Sequence, residues 1–388
     1  MEDRHGIANS MKIAIAGGSI AGLACALTLT CTGHDVHVYE RSAGPLRGRG
    51  GGVVVLRQML RFLEQHGHRT RAMLAVPTHR RRWIDIDGNV TRDDPELLPF
   101  SSWDAVYRSL CSMLPPASLH YGRNVASVAE DADGVEIRFD DGAAPVRADI
   151  LIAADGTGSR LRSALFPGNA SSYAGYIAWR GVVSENAFNR VEVADLIENM
   201  TLYRSDAELF MTFLIPALNG SLDTGMRRFN WLWYRNEPDE SSIGAFLTGR
   251  DGHRHHASVP PGELSEQSLA YLHRAALDGL PRALSQLVAA THAPFLQAIS
   301  DALSPSFAKG RIALVGDAAC TLRPHTGSGT SKSADDAVSL AEALATTSGK
   351  DVVQVLDRWA AMRRGAVAPL LLKGPRLAQS FGLGYPST

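Results

Sequence analysis

The residues best suited to bind a charged ligand lie in three glycine-containing stretches. The first, residues 17–22 (GGSIAG), follows an apolar run and places Gly17 and Gly22 where a dinucleotide-binding turn needs glycine, with Ser19 replacing its middle glycine. Such a turn at a helix N-terminus presents backbone N–H groups to a pyrophosphate. Glu40 follows at the separation where an acid accepts hydrogen bonds from a ribose. The spacing therefore predicts a nucleotide site at this turn.

In the second and the third stretch, an apolar strand pattern ends at a carboxylate residue. Each continues through a polar turn into a predicted helix, whose N-terminus favours negative charge. In the third stretch, a carboxylate beside that N-terminus would repel a phosphate but suits hydrogen bonding to a polyol. The residues concerned are Asp155, Gly156, Ser159 and Arg162 within 150–162, and Gly316, Asp317, Pro324, Gly327 and Gly329 within 311–337.

The elements that must position these stretches alternate between strand and helix patterns. Residues 11–40 predict a β-α-β unit, the pattern returns from residue 311, and the last predicted helix covers 352–372. Between them, alternating aromatic segments over 171–300 indicate an antiparallel sheet with one face on a core. The predicted fold is α/β, with a discontinuous Rossmann-like domain, an inserted antiparallel-sheet domain and C-terminal helices. The predicted boundaries are 11–75, 101–170 and 301–388 for the first domain, and 76–100 and 171–300 for the second.

Composition and charge exclude several classes of function. The 388 residues carry 39 Lys and Arg against 40 Asp and Glu, so no strong positive field exists to hold nucleic acid or an acidic membrane surface. The uncharged run 13–31 is long enough for a membrane span, but its internal glycines favour a strand, a turn and a buried helix. The absence of a CxxC pair and the charged leader 1–10, which is unlike a signal peptide, predict a reduced, cytoplasmic protein. No metal site is predicted.

Together, the three stretches resemble the motifs of FAD-dependent aromatic hydroxylases, the single-component flavoprotein monooxygenases of the p-hydroxybenzoate hydroxylase type. That family has the glycine turn, a DGxxSxxR motif and a GDAAHxxxPxxGxG motif in this order, and here Cys320 stands in place of the last motif's histidine. More narrowly, the 2,6-dihydroxypyridine 3-hydroxylase branch is similar in four segments, GGSIAGL (17–23), YIAWRG (176–181), NWLWYRN (230–236) and RPHTGSGTSKSADDA (323–337).

The resemblance implies bound FAD, with NADH or NADPH as a transient co-substrate and O₂ as the oxidant. Arg108 would reach the cofactor from a helix, Val125 would approach the adenine through its backbone, and Asp317 would bind the ribityl chain. N–H groups from Gly327 to Thr330 would face the edge of the flavin that becomes anionic on reduction. The implied cofactor-binding residues are Gly17, Ser19, Ile20, Ala21, Gly22, Glu40, Arg41, Arg108, Val125, Asp155, Asp317, Gly327, Gly329 and Thr330.

The implied reaction is hydroxylation of an electron-rich aromatic or N-heteroaromatic ring through a C4a-hydroperoxyflavin. A base or proton relay that deprotonates a ring hydroxyl would activate the substrate, and the candidates are His325 and Tyr234. The resemblance also implies that the backbone carbonyl of Pro324 accepts a hydrogen bond from the substrate hydroxyl. For His325 the alternative is a hydrogen bond that structures its loop, and for Tyr234 it is packing in a strand. Six side chains could wall the substrate cavity or belong to the core: Trp179, Arg180, Phe210, Phe213, Trp231 and Trp233.

Other assignments account for less of the sequence. A flavin-dependent halogenase needs a lysine that is missing between Lys12 and Lys309, and a simple NAD(P) dehydrogenase leaves the Asp317 loop without a role. An epoxidase or other oxidative tailoring enzyme and a non-catalytic flavin-binding protein stay open. So do the exact substrate, the choice between NADH and NADPH, and the oligomeric state, with a homodimer among the options. The run Arg80–Arg82 is a solvated surface or a contact for the nicotinamide nucleotide.

Overall fold

A computed structural model describes residues 10–67, 75–189, 193–345, 347 and 351–384. All but the last residue of the predicted leader 1–10 lie outside these ranges. The strands in chain order are β1 Lys12–Ala16, β2 Asp35–Glu40, β3 Gly52–Val54, β4 Val76–Ile84, β5 Val90–Ser102, β6 Leu119–Tyr121, β7 Val125–Glu130, β8 Val135–Phe139, β9 Val146–Ala148, β10 Ile150–Ala153, β11 Ser172–Ser184, β12 Asn199–Ser205, β13 Glu208–Ile215, β14 Arg228–Asn236, β15 Ser258–Val259, β16 Phe295–Leu303, β17 Ala308–Lys309, β18 Ile312–Leu314 and β19 Cys320–Thr321.

The α-helices fall mainly into two groups, one at the first sheet and one behind the second. In chain order they are α1 Ile20–Cys31, α2 Arg57–Gln65, α3 Trp103–Ser112, α4 Arg160–Leu165, α5 Glu240–Phe246, α6 Glu266–Gly279, α7 Arg282–Ala289, α8 Gly316–Ala319, α9 Gly329–Leu344 and α10 Val352–Ser380. Helix α10 continues through Pro369 and Pro375, beyond its predicted end at Leu372.

The first sheet brings the three glycine-containing stretches to one edge. Its strand order is β17-β18-β10-β1-β2-β6, and all adjacent pairs except β17–β18 are parallel. The register aligns Ala16 with both Tyr39 and Ala153, and Ala153 with Leu314. Because parallel strands point the same way, the turns that follow them meet outside their carboxyl ends, where α/β sheets bind ligands.

The second sheet is assembled from three separate parts of the chain. Its order is β15-β16-β11-β14-β13-β12-β4-β5-β3, with β19 pairing onto β16. Strands β4 and β12 pair in parallel, and the other adjacent strands pair antiparallel. A separate three-stranded meander, β7-β8-β9, precedes β10. This arrangement confirms the α/β class with an inserted antiparallel sheet.

The two faces of the second sheet pack against different partners. Side chains along a strand alternate between faces, so each strand contributes to both. One face forms a core with helices α6 and α7 through Leu272, Leu284 and Leu287. The other lies towards the first domain and packs against Ala378 and Leu383 at the C-terminal end. None of the helices in the described ranges combines the length and apolar character that a bilayer crossing requires.

Candidate active site

The turn between β1 and α1 holds two strands and a helix in close contact. Gly17 has a φ of +110°, and a Cβ there would lie 2.4 Å from the carbonyl oxygen of Ala154. A Cβ at Gly22 would lie 1.9 Å from the carbonyl oxygen of Gly17. Both positions therefore require glycine. The first N–H groups of α1 have no partner within the helix and stay available at this edge for an anion.

A cavity of about 260 Å³ opens at the same edge. Glu40 is buried there, and its two carboxylate oxygens accept hydrogen bonds from the N–H groups of Gly18 and Ser42, each at 2.8 Å. A carboxylate offers about four lone-pair sites, so capacity remains for ribose hydroxyls. Of the predicted cofactor-binding residues, the cavity is lined by Gly17, Ser19, Glu40, Arg41, Val125 and Asp155.

Sequence reasoning missed most of the basic residues of this cavity. Besides the predicted Arg41, its lining contains Arg49, Arg123 and Arg160. Guanidinium groups bind phosphate oxygens in bidentate geometry, so this set suits a pyrophosphate. The available signal was proximity to a motif, since Arg160 lies inside the second stretch and Arg123 stands two residues before Val125.

The second motif links the cavity to the third motif. Asp155 accepts hydrogen bonds from the Ser159 hydroxyl at 2.5 Å and from the Leu161 N–H at 3.2 Å, and Ser159 is the N-cap of α4. Arg162 is buried and donates to the carbonyl oxygens of Thr157 at 2.7 Å and Ala318 at 2.9 Å. The Asp155 carboxylate thus lines the cavity while it fixes the local backbone.

Asp317 of the third motif follows strand β18. Part of its side chain is accessible to solvent, but protein atoms surround it on its other sides, and this desolvation raises the pKa of the carboxyl group. The preceding Gly316 has a φ of +56° and is held on both sides of its backbone: its N–H donates to Asp336 at 2.9 Å, and its carbonyl accepts from Lys332 at 2.7 Å. Such an acid, oriented by a fixed turn, suits hydrogen bonds to a polyol.

The loop after Asp317 packs against strand β3. Gly327 has a φ of +64° and lies beside Val54. A Cβ at Gly327 would make an ordinary van der Waals contact with the Val54 side chain, at 3.5 Å. The Thr330 hydroxyl lies 3.5 Å from the Val54 carbonyl oxygen, and α9 begins at Gly329. The helix N-terminus and β3 therefore border the same space, as the predicted flavin contacts of this loop require.

The other predicted cofactor contacts do not line the 260 Å³ cavity, and Ile20, Ala21 and Arg108 are among them. Ile20 and Ala21 open α1, and a Cβ at Gly316 would meet the Ala21 Cβ at 2.5 Å, so these elements touch directly. Arg108 donates through Nε to Asp104 at 2.9 Å, and Asp104 also accepts from the Gly48 N–H at 2.7 Å. Their contacts with a cofactor stay predictions.

The candidate base His325 lies against the site-facing side of the second sheet. Its Nε2 is 2.8 Å from the Tyr176 hydroxyl, and its ring meets Tyr234 edge-on with centroids 5.8 Å apart. Arg323, which pairs with Asp301 at 2.6 Å, lies over the Tyr176 ring. Sequence reasoning missed Tyr176, although it shares a strand face with Arg180 at a spacing of four residues.

Burial sets the protonation states of this group. It lowers the pKa of His325 to about 4, with a smaller contribution from the Arg323 charge, so the imidazole is neutral near pH 7. Burial raises the pKa of Tyr234 to about 12, which keeps its phenol protonated. His325 Nδ1 and the Tyr234 hydroxyl are both enclosed and have no hydrogen-bond partner in the structure. A neutral imidazole with a free ring nitrogen can accept a proton from a ligand.

The predicted cavity walls divide between the two faces of the sheet. Arg180 and Phe213 share the site-facing side with Tyr234, and a Cβ at Gly52 would lie 2.5 Å from the Phe213 ring. The other four side chains point the opposite way and are buried in the core with α6 and α7. Of the two alternatives for these residues, the structure favours the core over the cavity wall. Strand alternation places these four in the core: Trp179, Phe210, Trp231 and Trp233.

Pro324 lines a second, smaller cavity of about 100 Å³, together with Gln297 and Thr321. This cavity borders the site-facing side of β16. The prediction that the Pro324 carbonyl accepts a hydrogen bond from the substrate stays a prediction.

The run Arg80–Arg82 faces acids of the adjoining strand. Arg80 Nε lies 2.5 Å from an oxygen of Asp93, and Arg81 Nη2 lies 2.5 Å from an oxygen of Glu96. Arg82 also approaches Asp93, at 3.3 Å. These pairs offset the positive charge, which favours the solvated surface over a nicotinamide nucleotide contact.

The geometry fits FAD on two independent observations. The glycine turn packs so closely on the neighbouring backbone that no Cβ fits at residues 17 or 22, which holds the N-terminus of α1 at this edge, and four arginines line the adjoining cavity. Glu40 and Asp317, one at each end of the edge, offer acceptors for sugar and polyol hydroxyls. A phosphate-linked sugar alcohol with a nucleoside at one end matches this order of groups.

Comparisons with known proteins agree with this assignment. A family model described as FAD binding domain matches residues 289–372, and one described as FAD binding domain-like matches 173–301. The 2,6-dihydroxypyridine 3-monooxygenase of Paenarthrobacter nicotinovorans is 33% identical over 90% of this chain and 86% of its own length. The chain belongs to the family of FAD-dependent aromatic monooxygenases.

Further relatives and solved structures show the same family. A solved structure of 2,6-dihydroxypyridine-3-hydroxylase from Arthrobacter nicotinovorans superposes with a TM-score of 0.89 at 30% identity, over 97% of this chain and 93% of that one. The salicylate hydroxylase of Pseudomonas putida is 25% identical over 91% of this chain and 82% of its own length.

Proposed function

We propose that this protein uses FAD, NAD(P)H and O₂ to hydroxylate a hydroxylated N-heteroaromatic ring held between the His325 loop and the second sheet. One observation carries the proposal. Buried polar atoms are nearly always hydrogen-bonded, yet several enclosed atoms on this side of the sheet have no partner in the structure, and four of them carry the proposal. They are Arg180 Nε, Asn230 Nδ2, Tyr234 Oη and His325 Nδ1. A polar aromatic ligand supplies the missing partners, and the names of the similar proteins support a pyridine ring.

The chain's own residues would bind, orient and deprotonate the substrate. Bound FAD supplies the redox and oxygen chemistry, which no side chain provides. His325 would accept the proton of a ring hydroxyl at Nδ1, which has no partner in the structure and, with a pKa of about 4, is unprotonated near pH 7. The Tyr176 hydroxyl, 2.8 Å from Nε2, fixes the orientation of the imidazole ring. Phe213 and Tyr234 provide aromatic surface around the ring.

The test is a substrate panel on the purified holoenzyme with NADH and with NADPH. Hydroxypyridines and phenols are compared for NAD(P)H consumption, H₂O₂ release and product mass. We expect a hydroxypyridine to stimulate NAD(P)H oxidation by about ten-fold or more and to yield a product heavier by one oxygen atom. Oxidation that no aromatic compound stimulates would contradict the proposal and favour a non-catalytic flavin protein, and an epoxide product would favour the tailoring alternative.

Location and assembly complete the proposal. The cysteines Cys25, Cys31, Cys111 and Cys320 are all free thiols, which supports a reducing, cytoplasmic setting. A homodimer stays a prediction, and sedimentation velocity distinguishes it from a monomer.

A further inference from the structure

Arg180 carries a buried positive charge that no acid of the described residues neutralises. Its Nη1 donates to the Gln297 side chain at 3.2 Å, and its guanidinium lies over the Phe295 ring at 5.3 Å. Its Nε is enclosed and has no partner. The side chain lies deep in the protein but keeps some open surface, as expected for a group that faces a cavity.

Other buried arginines of the chain are satisfied differently. Arg227, Arg323 and Arg363 each pair with a carboxylate, at 2.9, 2.6 and 2.7 Å respectively. Arg162 and Arg228 form no ion pair, and each also has one enclosed nitrogen without a partner, but the charges of nearby acids act on both. Arg162 in addition donates to three backbone carbonyls. An arginine cannot shed its proton in a protein, and an unpaired buried charge costs several kcal/mol. Arg180 differs in that no acid of the described residues lies close enough to act on its charge, which indicates a partner from outside these residues.

The surroundings of Arg180 are rich in donors. The Asn230 side-chain oxygen accepts from the Gly52 N–H at 2.6 Å, which leaves its enclosed Nδ2 as a donor without a partner. A Cβ at Gly51 would lie 3.0 Å from Arg180 Nη2 and 2.8 Å from the Asn230 oxygen, so a glycine backbone covers both side chains closely. Tyr234 shares this face and adds its unpartnered hydroxyl. A guanidinium and an amide NH₂ together favour an oxygen anion.

We propose that Arg180 and Asn230 form a specificity site for an oxygen anion on the substrate ring, so that the protein selects anionic over neutral aromatic compounds. This inference rests on the proposed function and deepens it. The anion is a ring carboxylate or an ionised ring hydroxyl, and both present a planar oxygen to the guanidinium. The two sources are separated by experiment.

The experiment measures dissociation constants for the holoenzyme from the change in flavin absorbance. One pair of probes is 6-hydroxynicotinate and its carboxamide, and the other is 2,6-dihydroxypyridine and its monomethyl ether. We expect the anion of at least one pair to bind about ten-fold or more tightly than its neutral partner. The pair that shows the preference identifies the source of the anion.

Variants assign that preference to Arg180. Arg180→Gln removes the charge and should abolish the preference, with little change for the neutral probe, whereas Arg180→Lys should restore part of it. Arg235→Gln is the matched control, since Arg235 lies on the neighbouring strand and pairs with Glu208. It should leave the preference unchanged. Flavin content and thermal unfolding verify that each variant is folded.

Two outcomes overturn the inference. One is a wild-type holoenzyme that binds neither anion more tightly than its neutral partner. The other is an Arg180→Gln variant that keeps the preference and instead changes the reduction potential of the flavin, which would assign the charge to the cofactor. Anion-selective binding without stimulated NAD(P)H oxidation would overturn the proposed function and leave this inference standing.

Discussion

His325 combines two properties that a proton acceptor needs. Its Nε2 is fixed by Tyr176, and its Nδ1 is left without a partner on the side of the sheet that carries Arg180 and Tyr234. Burial lowers the pKa of the imidazole to about 4, which keeps it neutral near pH 7. A protonated histidine could not accept a proton in this way.

Replacing His325 by Ala should lower coupled hydroxylation by about 10²-fold, the scale of a lost general base, while FAD stays bound. Product formed per NAD(P)H and flavin content are the measurements. Tyr176→Phe is the matched variant, because it removes only the hydroxyl that orients the ring. It should cause a smaller loss. An unchanged product yield in His325→Ala would remove this residue from the mechanism.

The same residue predicts a direction for acid stability. Its folded-state pKa of about 4 lies below the ordinary 6.5, so the unfolded chain takes up the proton first as pH falls. Stability is therefore lost as pH drops from 6.5 towards 4, by about 1.4 kcal/mol for each unit of pKa difference. His325→Gln should flatten this part of the stability profile, which denaturant unfolding at several pH values measures.

At the scale of elements, a buried ion cluster joins α9, α10 and the turn before Asp317. Asp336 accepts from Lys332 at 2.9 Å, from Arg363 at 2.7 Å and from the Gly316 N–H at 2.9 Å. Lys332 and Asp336 are almost fully buried. The cluster contains two cations and one anion, so its members are not equivalent.

Asp336→Asn should destabilise the protein by about 3–5 kcal/mol, because it leaves two cations buried without their shared anion. Lys332→Met keeps the pair of Asp336 with Arg363 and should cost on the order of 1–2 kcal/mol for its lost hydrogen bonds. Denaturant unfolding of both variants and their FAD content provide the comparison. Equal losses would contradict this ranking.

At the scale of the whole molecule, the C-terminal segment crosses from the first domain to the second sheet. The Asn236 side chain donates to the Gly382 carbonyl at 2.8 Å and accepts from the Gly384 N–H at 2.9 Å. Leu383 is buried against the sheet, and Phe381 contacts the rings of Trp83 and His325. The segment thus covers one side of the candidate active site.

Asn236→Ala should loosen this cover, since it removes two hydrogen bonds worth about 2 kcal/mol together. Water would then reach the site, and the fraction of NAD(P)H lost as H₂O₂ should rise several-fold while FAD content is unchanged. Asn219→Ala, in an exposed turn, is the control and should have no effect. An unchanged H₂O₂ fraction in Asn236→Ala would show that the segment does not exclude water.

The sequence predicts the first domain better than the substrate side of the site. Gly17, Glu40 and Asp317 could be brought together from sequence because parallel strands end at one edge. The alternation of side chains along a strand predicts that Trp179 and Arg180 lie on opposite faces of the sheet. The local sequence does not show which of these faces meets the cofactor domain. The long-range contacts of Asn236 and the continuation of α10 through Pro375 depend on tertiary packing, which overrides local propensity.

The three-part construction of the second sheet has a consequence for synthesis. Strand β4 leaves the ribosome long before its partner β12, and β10 leaves it long before its partner β18. Neither sheet can close on a nascent chain until most of the protein has emerged, so early strand edges depend on protection from aggregation. Excising residues 172–303 as an independent module would likewise leave β4 and β5 behind, and the two halves are best regarded as one cooperative folding unit.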